Sequence, residues 1–370
     1  SRVVIMAENP WRPSAGDNES SLYIAQLANN ELTYEKKHEL NFGIDAGFLN
    51  NRINFTFDIY SRRNYDLIGV INTQGTGGEP RKYGNVAKMK SNGVEIALNT
   101  VNIKTKDFTW TTDLIYSHMH NEVTELNTLN RMYDYISGSG FTMPGYPQRS
   151  LFSIPFMGLN NEGLPTFLDQ DGNVSVTGIN MQEYDPERLK FLKYEGPVDP
   201  TDVGSLGNVF RYKGVTLNLF ITYSFGNVVR LDPVFSSSYS DLTATPKEFK
   251  DRWVKPGDEN FTNVPVIASK QQLNNIAYLS TAYQAYNYST ERVAKGDFIR
   301  MKEISLGYEF PKSITQPLRL SNLSLKLMAT NLFLIYADKK LNGQDPEFFN
   351  AGGVANPMPK QFTLTLKLGI

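Results

Sequence analysis

Two histidines and a glutamate stand at alternate positions in His118-Met119-His120-Asn121-Glu122, and alternate residues of an extended chain share one face. Such a trio could bind zinc or copper. The same face carries Trp110, Leu114 and Tyr116, so the trio reads better as the solvated rim of an apolar strand, and no metal is expected. Asp169-Gln170-Asp171-Gly172-Asn173 has the look of a calcium loop's first half. Its glycine falls at the fourth position instead of the sixth, and Asn180 stands where the bidentate glutamate belongs, so an ordinary turn is favoured. Gly75-Thr76-Gly77-Gly78 lacks the lysine and the following helix of a phosphate cradle, and reads as a loop. The chain has three histidines, none in a nucleophile–base pattern, no cysteine and no G-x-S-x-G elbow. Neither an enzyme nor a cofactor is expected.

Tyrosines make the better binding candidates. Tyr278, Tyr283, Tyr286 and Tyr288 cluster in one segment, with Tyr133 and Tyr135 in another. A ring face with a hydroxyl edge offers a sugar or a peptide side chain apolar contact plus one directed hydrogen bond. The competing reading is packing of loop on loop or of loop on partner. Asp345 and Glu347 read as structural.

The elements that must position these residues are strands. From Glu39, apolar side chains fall on Leu40, Phe42, Ile44, Ala46 and Phe48 with polar or small residues between them. The turn-prone pair Asn50-Asn51 follows, and the alternation resumes at Ile53, Phe55, Phe57 and Ile59, which makes a hairpin. The same period marks strands at 94–98, 108–117, 203–212, 215–225, about 295–310, 323–330 and 362–370. That gives nine, with a short extra strand outside the regular set at Leu151 to Gly158.

The connections alternate in length. Short ones lie at 50–51, 101–107, 213–214 and 311–319, and long ones at 71–85, 127–202, 230–294 and 337–359. A soluble sandwich gives no reason for such parity, whereas a transmembrane β-barrel has short periplasmic turns and long outer loops. Aromatic rings near the strand ends, Tyr60, Tyr116, Tyr223, Phe225, Tyr308, Phe310, Phe333 and Tyr336, suit the two membrane interfaces. The alternate faces carry Glu39, Asp45, Asp58, Glu95, Asp113, Glu303, Lys326 and Lys367, which suits a wet lumen. If short turns are periplasmic, the first and last strands both run downward. An odd count beginning outside then implies at least one missing strand and the back part of a larger barrel.

Composition agrees. There is no apolar run of the roughly 18 residues that a spanning helix needs, yet 40% hydrophobic content excludes disorder. A net charge of -1 gives no electrostatic footprint for nucleic acid. The opening residues Ser1 to Ala7 are too short an apolar stretch for a signal peptide.

Ordered stretches along nearly the whole chain then carry a resemblance: Asn51-Arg52-Ile53-Asn54-Phe55-Thr56-Phe57-Asp58-Ile59-Tyr60, Asn92-Gly93-Val94-Glu95-Ile96-Ala97-Leu98, Phe108-Thr109-Trp110 with Asn121-Glu122-Val123, and Gly196-Pro197-Val198-Asp199-Pro200. Later come Phe298-Ile299-Arg300-Met301-Lys302 with Leu306-Gly307-Tyr308, Thr330-Asn331-Leu332-Phe333, Gly343-Gln344-Asp345-Pro346-Glu347 and Pro359-Lys360-Gln361-Phe362-Thr363-Leu364. The chain resembles the C-terminal barrel part of SusC/RagA-like TonB-dependent outer-membrane transporters. That resemblance implies an all-β fold: about nine or ten antiparallel strands, with long extracellular loops, from a barrel of about 22. It implies that 1–370 is one part of the barrel domain, without plug, TonB box or signal peptide. It also implies the outer membrane of a Bacteroidetes-type bacterium, with its lipid and lipopolysaccharide around the strands. The partners implied are a SusD-like surface lipoprotein and the TonB-ExbB-ExbD complex, and the function is uptake of oligosaccharides or peptides. The alternative is a non-transporting barrel acting as adhesin or surface glycan receptor. One departure is Ile370, where the family usually ends in an aromatic. Either the chain is slightly truncated or assembly tolerates an aliphatic residue there.

Overall fold

The computed structural model describes residues 3–8, 20–26, 29–76, 81–128, 130–138, 140–235, 245–348 and 359–370. Nine strands make its main sheet: β1 (Lys36–Phe48), β2 (Ile53–Asn72), β3 (Arg81–Lys104), β4 (Phe108–Leu126), β5 (Asp202–Tyr212), β6 (Val215–Phe225), β7 (Phe298–Glu309), β8 (Asn322–Ala337) and β9 (Gln361–Gly369). Each pairs antiparallel with its neighbours in chain order. All nine expected strands are present. A separate hairpin pairs Val3–Glu8 with Ser20–Gln26, where the sequence pattern marks no strand.

Local chemistry sets the turns. Asn50 and Asn51 take φ of 57° and 63° between β1 and β2, and Lys213 and Gly214 take 45° and 90° between β5 and β6. Both pairs have the double positive φ of tight hairpins.

Register aligns the apolar positions into rows. Ile44, Phe57, Ile96 and Tyr116 lie directly opposite one another across β1 to β4, as do Leu219, Ile304, Ala329 and Phe362 across β6 to β9. This face stays open: Phe42 is 59% exposed and Leu364 68%. No second sheet covers it among the described residues. The opposite face is tied by polar contacts, with Thr56 donating to Asp45 at 2.7 Å and Asn218 to Glu303 at 3.1 Å. A sheet that is apolar outward and polar inward is a barrel wall. Its nine strands are a segment of the β-barrel fold.

The largest apolar core lies outside that wall, in the connections 127–201 and 226–297. Met132, Ile154, Phe167, Leu279, Ala285 and Tyr286 are fully buried there. Apart from Ile154, which bridges to Ser289, they come from α1 (Met132–Ile136), α3 (Leu279–Asn287, after the short α2 at Lys270–Asn275) and the last of the small strands Ser150–Ser153, Phe156–Leu159 and Pro165–Leu168. The first two small strands account for the extra strand expected at Leu151 to Gly158. The two longest connections thus fold together into a crown at one end of the barrel wall.

Three expectations need correction. The connection expected at 71–85 shrinks to 73–80, because β2 and β3 run to 20 and 24 residues, about twice what spans a bilayer. Beyond the lipid both faces meet water, so the strands continue on backbone pairing after the alternation has stopped. The sorting by length is consequently less strict: the turn at 310–321 is longer than 73–80, although ends still alternate. Tyr60 is no interface aromatic either. It lies on the inward face, 6% exposed, opposite Gly93 and beneath the Arg62 guanidinium, 3.9 Å from its ring centre.

Candidate functional site

The crown gathers the aromatic candidates: Tyr283 and Tyr286 are buried, and Tyr133, Tyr135 and Tyr288 are half-buried against its core. Tyr283 and Tyr286 lie on α3 and face Phe235 at 4.8 and 5.6 Å between ring centres. Tyr283 donates to the carbonyl of Val266 at 2.6 Å. Tyr286 also meets Phe156 edge-on at 5.5 Å, and its hydroxyl has Arg292 close by in poor hydrogen-bond geometry. Tyr133 and Tyr288 make an edge contact at 5.9 Å, and Tyr135 packs on Phe141 at 4.9 Å and on Phe152 at 6.1 Å. Burial raises the phenols of Tyr135 and Tyr286 above the ordinary tyrosine range and pushes Tyr288 up to about 12. Tyr286 and the Tyr133–Tyr288 pair join the two connections, while Tyr283 and Tyr135 pack within one connection each, so all five rings take part in the packing of the crown.

Tyr278 differs. It is 74% exposed and precedes α3 with φ of 62°, a left-handed conformation that holds its ring off the crown. Phe261, 91% exposed, and Val254, 67%, also open to solvent from the crown. Nothing in the sequence marks these two, since no period governs a loop and only the folded crown separates buried from open rings.

Arg230 closes the crown at its base. It donates to the carbonyl of Phe152, across the two connections, and stands over the Tyr288 ring at 5.7 Å. Although part of it reaches solvent, dense packing pushes its guanidinium down to about 10.

The other candidates resolve into local structure. His118 contacts Asp202 at 2.8 Å, and Glu122 pairs with Lys90 at 2.8 Å. Among the described residues no three histidine, aspartate or glutamate side chains converge as a metal site. Asp169 accepts backbone N–H groups of Asp171 at 3.0 Å and Asn173 at 2.9 Å, which makes the would-be calcium segment a turn, with Gly172 at φ of 80°. Gly75 takes φ of 74°, while Gly77 and Gly78 lie outside the described residues. Asp345 and Glu347 bind Arg300, a buried arginine on β7; the Glu347 contact is 3.2 Å.

A barrel wall with an open apolar face and a folded crown on alternate connections is the geometry to set beside known proteins. A family profile described as TonB dependent receptor-like, beta-barrel, matches residues 11–236. The chain belongs to this family. The TonB-dependent receptor SusC of Bacteroides thetaiotaomicron is 26% identical over 373 residues, which cover 96% of this chain and 34% of SusC. A TonB-dependent receptor of Formosa agariphila is 26% identical over 380 residues, or 90% of this chain and 34% of the relative. Among solved structures, that of the RagAB peptide transporter superposes with a TM-score of 0.72 at 23% identity, covering all of this chain and 38% of the other. The chain thus spans about a third of the length of these relatives. These relatives are named as receptors and a transporter, and none as an enzyme.

Proposed function

We propose that this receptor barrel segment is the C-terminal part of a SusC-type importer in the outer membrane of a Bacteroidetes-type bacterium. The observation that carries the reading is the crown. Two long connections on one end of the wall fold into a common core, which gives the outer mouth a fixed shape instead of mobile loops. A preformed mouth suits capture of a ligand before passage. On this reading the plug, the TonB box and the remaining strands belong to other parts of the protein, TonB with ExbB and ExbD supplies energy, and a SusD-like lipoprotein covers the mouth. Oligosaccharides or peptides are the cargo, and Tyr278 with its exposed neighbours would meet cargo or lid.

Deletion of the whole gene, with growth and uptake measured on labelled oligosaccharides and labelled oligopeptides, tests the reading. Import predicts loss of uptake for one class and recovery only when the TonB box is intact. Surface binding that persists without the TonB box, with uptake unchanged, would instead make the protein an adhesin or glycan receptor.

A further inference from the structure

On the long-connection side of the outward face, the apolar belt gives way to charge over three hydrogen-bonded rows. Phe42, Ile59 and Val94 end the belt across β1 to β3. In the next row the short Ser61 and Asn92 sit between the longer Leu40 and His120, and the shortfall leaves a groove of 380 Å³ lined mainly by carbon. That volume lies within the range of small-molecule sites, about 300–1,000 Å³. Above it stand His38, Arg63 and Lys90, directly opposite one another.

Like charges set opposite each other destabilise a sheet. Glu122 offsets one of them through Lys90, whereas Arg63 makes no ion pair among the described residues. The other nearby carboxylates are engaged as well: Asp202 by His118 and by the Tyr116 hydroxyl at 2.6 Å, Asp66 by Lys36 at 2.7 Å and Glu125 by Lys88 at 2.7 Å. The rim therefore keeps a surplus cation directly over an apolar groove that is continuous with the lipid-facing belt. An anionic headgroup on an acyl chain has the matching shape and charge.

We propose that this groove seats an acyl chain of lipid A while Arg63, with Lys90, holds its phosphate. The site rests on the outer-membrane reading above. The groove opens toward the outer leaflet, where lipopolysaccharide is the phosphorylated lipid.

The test uses the full-length receptor purified in mild detergent from its own outer membrane, with heat-modifiable gel mobility as the check that each variant is folded. Lipid A retained by the protein is measured by mass spectrometry. Rebinding is then compared for lipid A, dephosphorylated lipid A, phosphatidylglycerol and inorganic phosphate. The double change Arg63→Glu with Lys90→Glu should lower retention about tenfold. Ser61→Phe, which fills the groove and leaves the charge alone, should do the same, and dephosphorylated lipid A should rebind about tenfold more weakly. Wild-type retention in both folded variants overturns the proposal. So does phosphatidylglycerol binding as tightly as lipid A, or inorganic phosphate displacing lipid A at equal concentration. Failure of the site alone leaves the receptor in the outer membrane with uptake intact, whereas absence of the wild-type receptor from that membrane overturns both readings.

Discussion

Arg300 shows how one side chain ties distant parts of this chain together. It projects from β7 and binds Asp345 and Glu347 in the last long connection, with the arginine itself only 4% exposed. A buried ion pair adds little net stability, but removing one partner strands the other charge, at about 3 kcal/mol. Arg300→Ala should therefore destabilise the folded barrel by about 3 kcal/mol in urea titrations in micelles, and expose residues 338–348 to protease. An unaltered cleavage pattern would refute the clamp. Tyr286 allows a different test, because packing and ligand binding predict opposite orders. As a core ring, Tyr286→Ala should cost about 4 kcal/mol and Tyr286→Phe less than about 1. As a ligand contact, Tyr286→Phe would weaken cargo binding and leave unfolding unchanged. The sequence made Asp345 and Glu347 legible as structural, since they sit in an ordered stretch with a proline. It could not place the tyrosines, because partners such as Phe156 and Tyr286 are far apart in the chain and meet only when two connections fold together.

At the scale of the element, the strands were legible and their ends were not. Period-two alternation is imposed by lipid on one side and water on the other, so it lasts only as long as the bilayer does. β2 and β3 continue past that depth, through Arg62-Arg63-Asn64 and Lys88-Met89-Lys90, where backbone pairing carries on without the alternation. Gly93 has a specific task in this hairpin. A Cβ there would lie 2.3 Å from the ring of Tyr60, directly opposite, so the missing side chain is what lets the tyrosine lie flat over the strand. Gly204 stands opposite Tyr223 in the same way. Gly93→Ala should cost about 2 kcal/mol through overpacking. Tyr60→Ala should remove most of that added cost, giving a coupling of about 1 kcal/mol or more in a double-mutant cycle. Additive effects in chemical unfolding would show that the glycine serves something other than this ring.

The whole molecule is an inverted protein below and an ordinary one above. Its wall exposes Leu364, Leu366 and Phe362 while tying polar groups inward, and its crown buries Met132, Phe167 and Leu279 as any soluble core would. This division explains why average composition says little: the two regimes cancel in the 40% hydrophobic total. It also yields a sharp test of which solvent meets which face, using two adjacent residues of β9. Leu364 lies in the outward row with Leu327, and Thr365 lies in the inward row with Lys326. In the full-length receptor folded into lipid vesicles, Leu364→Arg should cost about 2–4 kcal/mol, because an arginine near the bilayer midplane loses its hydration. Thr365→Arg should cost well under 1 kcal/mol, since the lumen is wet. In detergent-free water a sandwich-like sheet would penalise Leu364→Arg only by lost packing and would give no dependence on bilayer thickness. Folding titrations in vesicles of two acyl lengths separate these cases. A penalty at Leu364 that deepens in the thicker bilayer, with none at Thr365, is the outcome that a barrel wall requires, and equal penalties at both positions would refute the inward and outward assignment.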